Sequence, residues 1–159
     1  MILLLSLFLL FGDGNIPPLN ERILHFVELS KGKQVGNGEC WDLAAEAIEY
    51  AGAYLDRSTP ESVYIFGKRV NPWKDTIFPG DIIQFENIEM RYIKNHNEYV
   101  ARMPHHTAIV YEILGIGHYM IAHQNSFISG KKVGITELDL KHITNGKFYF
   151  YRPVSRSGK

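Results

Sequence analysis

The apolar residues of this chain change their period partway along it. Between residues 20 and 51 they recur at helical spacing, and beyond residue 60 they fall into short extended runs between turn signals. Residues 20–30 read as a helix. Ile23, Phe26, Val27 and Ser30 share a face, Glu21 stands in the first turn and Gly32 ends it. A second helix spans 39–51, with Trp41, Ala44, Ala45, Ile48 and Ala51 as its stripe and Gly52 as its stop. Its alanines permit close packing against a sheet. Candidate strands cover 62–66, 82–85 behind the turn Pro79-Gly80-Asp81, then 99–103, 107–114, 119–123 and 148–152. Gly115-Ile116-Gly117 separates two of them at hairpin length. Helices first and strands after predict an α+β fold, with N-terminal helices packed on an antiparallel β-sheet.

A chain of 159 residues suits one domain with one real core. Lys plus Arg equals Asp plus Glu at 17 each, which gives no electrostatic reason to expect a nucleic-acid or anionic-membrane partner. Residues 1–11 are almost wholly apolar and Gly12-Asp13-Gly14-Asn15 breaks the run. Such a stretch is too short to span a bilayer and matches the apolar core of a signal peptide. The expectation is a leader at 1–14, one domain at 15–159, and export to the periplasm or the medium with no integral membrane span in the mature chain. No Lys or Arg precedes the run and no Ala-x-Ala follows it, so a buried N-terminal strand is the competing reading.

The chain holds one cysteine. Cys40 stands at the expected start of the second helix, behind Gly36-Asn37-Gly38. Free N–H groups and the helix dipole favour an anion there and predict a lowered thiol pKa. A thiolate is a nucleophile. The plainer reading is a small buried core residue, which needs no glycine-rich approach. A cysteine nucleophile requires a base, and the base an orienting partner. His105-His106 opens the run 107–111; His106 is the candidate base, and an exposed strand end is the plain reading for one of the two. If the turn centres on 115–117, residues 123–126 return opposite His106. Alternation sets His123 and Asn125 on one face and Gln124 on the other, so periodicity does not choose between the two as partner.

These residues resemble a known group. Gly38-Glu39-Cys40-Trp41-Asp42-Leu43-Ala44, Pro79-Gly80-Asp81-Ile82-Ile83-Gln84-Phe85, His106-Thr107-Ala108-Ile109-Val110, His123-Gln124-Asn125 and Tyr151-Arg152-Pro153 look like the successive blocks of the NlpC/P60 and CHAP superfamily, over residues 34–153. The resemblance implies a papain-like fold and a cysteine hydrolase (amidase or endopeptidase) cleaving amide bonds, usually in peptidoglycan, with no cofactor. It implies Cys40 as nucleophile, His106 as base, and His123 in preference to Asn125 as third member. By the same analogy Gln34, six residues before Cys40, supplies an oxyanion-hole donor. NlpC/P60 enzymes usually read Asp-Cys-Ser where this chain has Glu39-Cys40-Trp41, and CHAP enzymes often read Glu-x-Asn at 123–125. The first block also resembles a cysteine-proteinase-fold domain attached to some fungal cytoskeletal proteins, for which enzymatic activity is not established.

Three readings therefore compete. The first is a secreted cysteine peptidase or amidase with a peptide or peptidoglycan substrate. The second is an interaction domain that keeps the fold without the chemistry; the intact Cys, His and polar set argues against it. The third is a zinc site made of Cys40, His106 and His123, whose ligand types suit zinc. It lacks a His-x-x-x-His or Cys-x-x-Cys pair and ranks last. Trp41, Trp73 and Tyr99 line a groove or fill the core, and segments 57–73 and 87–103 shape specificity.

Overall fold

The computed structural model describes residues 15–156, so the expected leader at 1–14 lies outside the described residues. Helix α1 (Pro18–Ser30) opens on a proline, whose missing N–H would be unpaired in a first turn anyway. Helix α2 (Cys40–Ala51) ends on Gly52 at φ 71°, the left-handed conformation that stops a helix. At its other end Asp42 reaches back. Its Oδ2 accepts the N–H of Asn37 at 2.8 Å and of Glu39 at 3.2 Å, which folds the approach to Cys40 into a fixed turn.

Among the described residues, strands β1 (Lys68–Val70), β2 (Ile82–Lys94), β3 (Asn97–Gly115), β4 (His118–His123), β5 (Gly134–Asp139) and β6 (Ile143–Arg152) form one antiparallel sheet in the order β1-β6-β2-β3-β4-β5. The helices pack on one face, as the change of period predicts. The β3–β4 hairpin turns where expected, with Gly115 paired to His118.

Several expectations give way. The strand placed at 62–66 is a single 3-10 turn, Ser62–Tyr64, followed by β1. Ser62 Oγ accepts the Thr59 N–H while Thr59 Oγ1 accepts the Ser62 N–H, and these local bonds outbid extension. The strands placed at 99–103 and 107–114 are one, β3. Pro104 stands opposite Asn87, which adopts φ 51°, and the β2–β3 register continues unbroken on either side, with Glu86 paired to His105 and Ile88 to Met103. The segment 87–103 is therefore a two-stranded arm that continues β2 and β3. Strand β5 carries little apolar character and was not foreseen.

Both faces of the sheet are covered. Ile82, Ile109, Ala122 and Tyr151 pack under Ile23, Val27, Leu43, Ala44, Ala47 and Ile48 of the helices. Ile83, Phe85, Ala108, Val110, Ile121 and Phe150 form a second cluster on the opposite face, closed by Val70, Ile77, Leu138 and Leu140. This explains why the run 82–85 does not alternate: a strand buried on both sides carries apolar side chains at successive positions.

Candidate functional site

Three elements meet at one end of the sheet: the start of α2, β3 near residue 106, and the end of β4. Cys40 is the first residue of α2. The backbone N–H and the hydroxyl of Thr107, and the N–H of Trp41, lie against its sulfur. Thr107 is buried, and its hydroxyl donates to Gln84 Oε1 at 2.7 Å. The thiol is thus held against the residue that follows His106. His106 is not among its hydrogen-bond partners.

The expected lowering of the thiol pKa does not occur. Burial pushes the Cys40 thiol up, and the nearby Glu39 charge adds to it; the amides of Thr107 and Trp41 pull the other way and lose. The dipole argument weighed the helix start and left out desolvation, which is the larger effect here.

His106 and His123 come together on the face of Phe85, opposite the helices. Both are buried. His106 Nε2 and His123 Nδ1 are 2.8 Å apart, and His123 Nε2 lies 2.8 Å from Thr136 Oγ1 of β5. The His106 ring stacks on Phe85 with centroids 6.3 Å apart. Burial lowers the pKa of each imidazole to about 4, helped at His106 by His123 and His105. The pair is neutral at pH 7. When His106 Nε2 carries the proton and donates to His123 Nδ1, His123 carries its own on Nε2 and donates to Thr136. In that tautomer His106 Nδ1 is unprotonated and able to accept a proton.

The remaining sequence-chosen residues are dispersed. Asn125 does not share a face with His123. Strand β4 stops at His123, Asn125 turns left-handed at φ 55°, and alternation ends with the strand. Asn125 is exposed, and its Nδ2 donates to Glu39 Oε2 at 2.6 Å. Lys131 Nζ holds the other oxygen of Glu39 at 2.8 Å. Gln34 is also exposed; its amide donates to Gly36 O at 3.2 Å, within its own loop. His105 serves structure: Gln84 Nε2 lies 3.0 Å from its Nε2, and Tyr64 meets its ring edge-on at 4.3 Å. Trp41 is partly buried and donates to Val63 O at 2.8 Å, whereas Tyr99 stacks on Tyr92 in the arm and Trp73 packs beside Gly117 at the other hairpin. Among the described residues, no three His, Cys, Asp or Glu side chains converge as a metal site needs.

Sequence reading missed three polar residues of the site. Thr107 and Thr136 look like ordinary strand threonines, and only the pairing of β3, β4 and β5 reveals their partners. Alternation sets Gln124 on the face away from His123 and gives it no role; the structure turns that face to the helices. It is wholly buried there and bonds the loop that leads to Cys40.

Residues 19–158 match a family model described as the AIM3/BBC1 cysteine proteinase-fold domain. The chain is similar to the altered inheritance of mitochondria protein 3 of Debaryomyces hansenii, at 29% identity over 150 residues. The match covers 84% of this chain and 16% of that protein, so the chain spans a small part of its relative's length. Among solved structures it is similar to Ly7917 (TM-score 0.53, 16% identity, 83% of this chain and 62% of that one). It is also similar to NlpC2 from Trichomonas vaginalis (TM-score 0.50, 20% identity, 89% and 48%). A second Ly7917 structure, with the hydrolyzing product of MDP, matches with a TM-score of 0.50 at 18% identity, over 84% of this chain and 63% of that one. At these identities the likeness is one of fold: two helices on an antiparallel sheet, as in papain-like proteins.

Proposed function

Because the chain belongs to the AIM3/BBC1 cysteine proteinase-fold domain family, we propose that it is a cysteine-nucleophile hydrolase of amide bonds, with Cys40 attacking, His106 as base and His123 orienting that base. The observation that carries this reading is the buried contact of His106 Nε2 with His123 Nδ1 at 2.8 Å, one residue along β3 from the Thr107 that holds the thiol. A buried imidazole whose second nitrogen is fixed by a hydrogen bond is what a catalytic base requires. In the forward step the thiol leaves its contact with Thr107, its proton passes to His106 Nδ1, and the sulfur adds to the amide carbonyl. The backbone N–H of Cys40, at the start of α2, faces the oxyanion. His106 then returns the proton to the leaving amine, and water hydrolyses the thioester.

The substrate class we propose is the peptide amides of peptidoglycan fragments. MDP is the first compound to try, because a Ly7917 structure holds its hydrolysing product. Purified protein is incubated with MDP and with whole peptidoglycan, and released fragments are identified by mass spectrometry beside a Cys40→Ala control. Fragments that appear equally with Cys40→Ala, or with neither protein, would defeat the proposal.

One observation favours a second reading, an interaction domain without chemistry: burial raises the thiol, and its hydrogen bonds go to Thr107 and Trp41. Under that reading His106→Ala leaves the reaction of Cys40 with iodoacetamide unchanged at every pH. Under ours the variant alters the pH–rate profile.

A further inference from the structure

We infer that Gln124 is a positioning residue that sets the Glu39–Cys40 peptide, and with it both the nucleophile and its oxyanion-facing amide. The inference rests on Cys40 being the nucleophile. Gln124 follows the last residue of β4, between His123 and Asn125, and is wholly buried. Its Oε1 accepts the Val35 N–H at 3.1 Å. Its Nε2 donates to Val35 O at 2.8 Å and to Glu39 O at 2.7 Å. Both amide protons are thus used, on the loop that leads into α2 and not on the sheet.

The third bond matters most. Glu39 O belongs to the peptide unit whose nitrogen is that of Cys40. In a planar trans peptide the C=O and N–H point in opposite directions. A donor fixed on the carbonyl therefore aims the Cys40 N–H away from Gln124, and fixes where the Cys40 Cα and sulfur stand. The side chain that does this is covalently next to His123, so one short stretch of chain fixes the base through His123 and the nucleophile through Gln124. The clasp of Glu39 by Asn125 and Lys131 lies outside, on the exposed surface; it holds the Glu39 side chain and, through Lys131, Asn37 O at 3.3 Å, but not the Glu39 carbonyl.

The test is Gln124→Met, similar in size and unable to hydrogen-bond, beside Lys131→Met, which loosens the outer clasp. The readouts are the midpoint of the iodoacetamide pH–rate profile, which reports thiol ionisation, and kcat and KM for amide hydrolysis. Released from its buried seat, the Gln124→Met thiol titrates lower, toward the ordinary ~8.5. Its kcat falls about tenfold or more with KM little changed, as misaligned reacting groups require. Lys131→Met leaves the Glu39 charge beside Cys40 without its ammonium partner, so its thiol midpoint moves up, the direction opposite to Gln124→Met. Unfolding would also bare the thiol and end hydrolysis, so both readouts are taken where urea denaturation shows the Gln124 variant fully folded. The inference requires a lowered midpoint with a reduced kcat and an unchanged KM in that folded protein. If Gln124→Met fails to unfold cooperatively, Gln124→Leu replaces it, likewise without a donor or a charge. A wild-type alkylation profile in the folded variant overturns the inference whatever the activity. Absence of hydrolysis by the wild type overturns the proposed function and leaves the titration readout to judge Gln124.

Discussion

Burial acts on the two halves of the site in opposite directions. It raises the Cys40 thiol and lowers His106 and His123 to about 4, and each shift favours the uncharged form. The resting site is thus a neutral thiol and a neutral histidine pair, and charge appears only when the proton moves. A histidine whose folded pKa lies below its unfolded value binds fewer protons folded than unfolded. Its stabilising effect is complete above about pH 6.5 and is lost as pH falls toward 4. Urea denaturation at a series of pH values is expected to show stability falling by a few kcal/mol over that window. The fall is expected to be shallower in His106→Phe. Thr136 gives a second prediction. Thr136→Val leaves the His123 Nε2–H without its acceptor, at a cost of about 1–3 kcal/mol. It also removes the tautomer preference that leaves His106 Nδ1 free, so kcat should fall about tenfold or more.

The arm made by β2 and β3 differs from the elements around the site. One side carries Glu89 with Arg91 and Arg102, and Arg91 with Glu98; the other carries the Tyr92–Tyr99 stack. Exposed ion pairs of this kind are each worth about 0–1 kcal/mol, and Ile93 is 79% exposed. The arm is a continuation of the sheet past its core, held mainly by its own ladder. Because Met90 pairs with Ala101, residues 91–100 can be replaced by Asn-Gly to give a two-residue hairpin. The shortened protein should fold with stability within about 1 kcal/mol of the parent. A larger loss in urea denaturation would show that the arm supports the core. Any change in substrate preference would then belong to the arm alone.

At the scale of the molecule, Asp81 joins the two ends of the described chain. It is wholly buried. Arg152 of β6 donates to both its oxygens, Nε to Oδ1 at 3.1 Å and Nη2 to Oδ2 at 2.9 Å. Asn20 of α1 donates to Oδ1 at 2.9 Å, and the Phe78 N–H to Oδ2 at 2.9 Å. First helix, central strand and last strand therefore close on one carboxylate. Arg152→Met strands that charge in the core and should cost about 3–5 kcal/mol in urea denaturation. Asp81→Asn in the Arg152→Met background should recover part of the loss, because the unpaired charge is gone.

Much of what is local in this protein was legible in its sequence, the Thr59–Ser62 turn excepted. The apolar period fixed α1 and α2, Gly52 fixed the end of α2, and Gly115 to Gly117 fixed the hairpin that brings His123 back toward His106, because each depends on side chains a few positions apart. Cys40 and His106 could be singled out by residue type and spacing before the fold is known, whereas the preference for His123 over Asn125 rested on the family resemblance. What depends on contact across the chain was not legible. The rise of the Cys40 pKa comes from burial, which spacing does not report. Asn125 left the site because β4 stops two residues earlier, a matter of where its neighbour strands end. Thr136 and Gln124 take their places only when β5 pairs with β4 and the loop from 31 to 39 closes over the sheet. Their partners are Thr136 to His123, 13 residues apart, and Gln124 to Val35, 89 apart. A hydrogen bond between residues so separated is set by the packing of whole elements, and only the tertiary structure decides it.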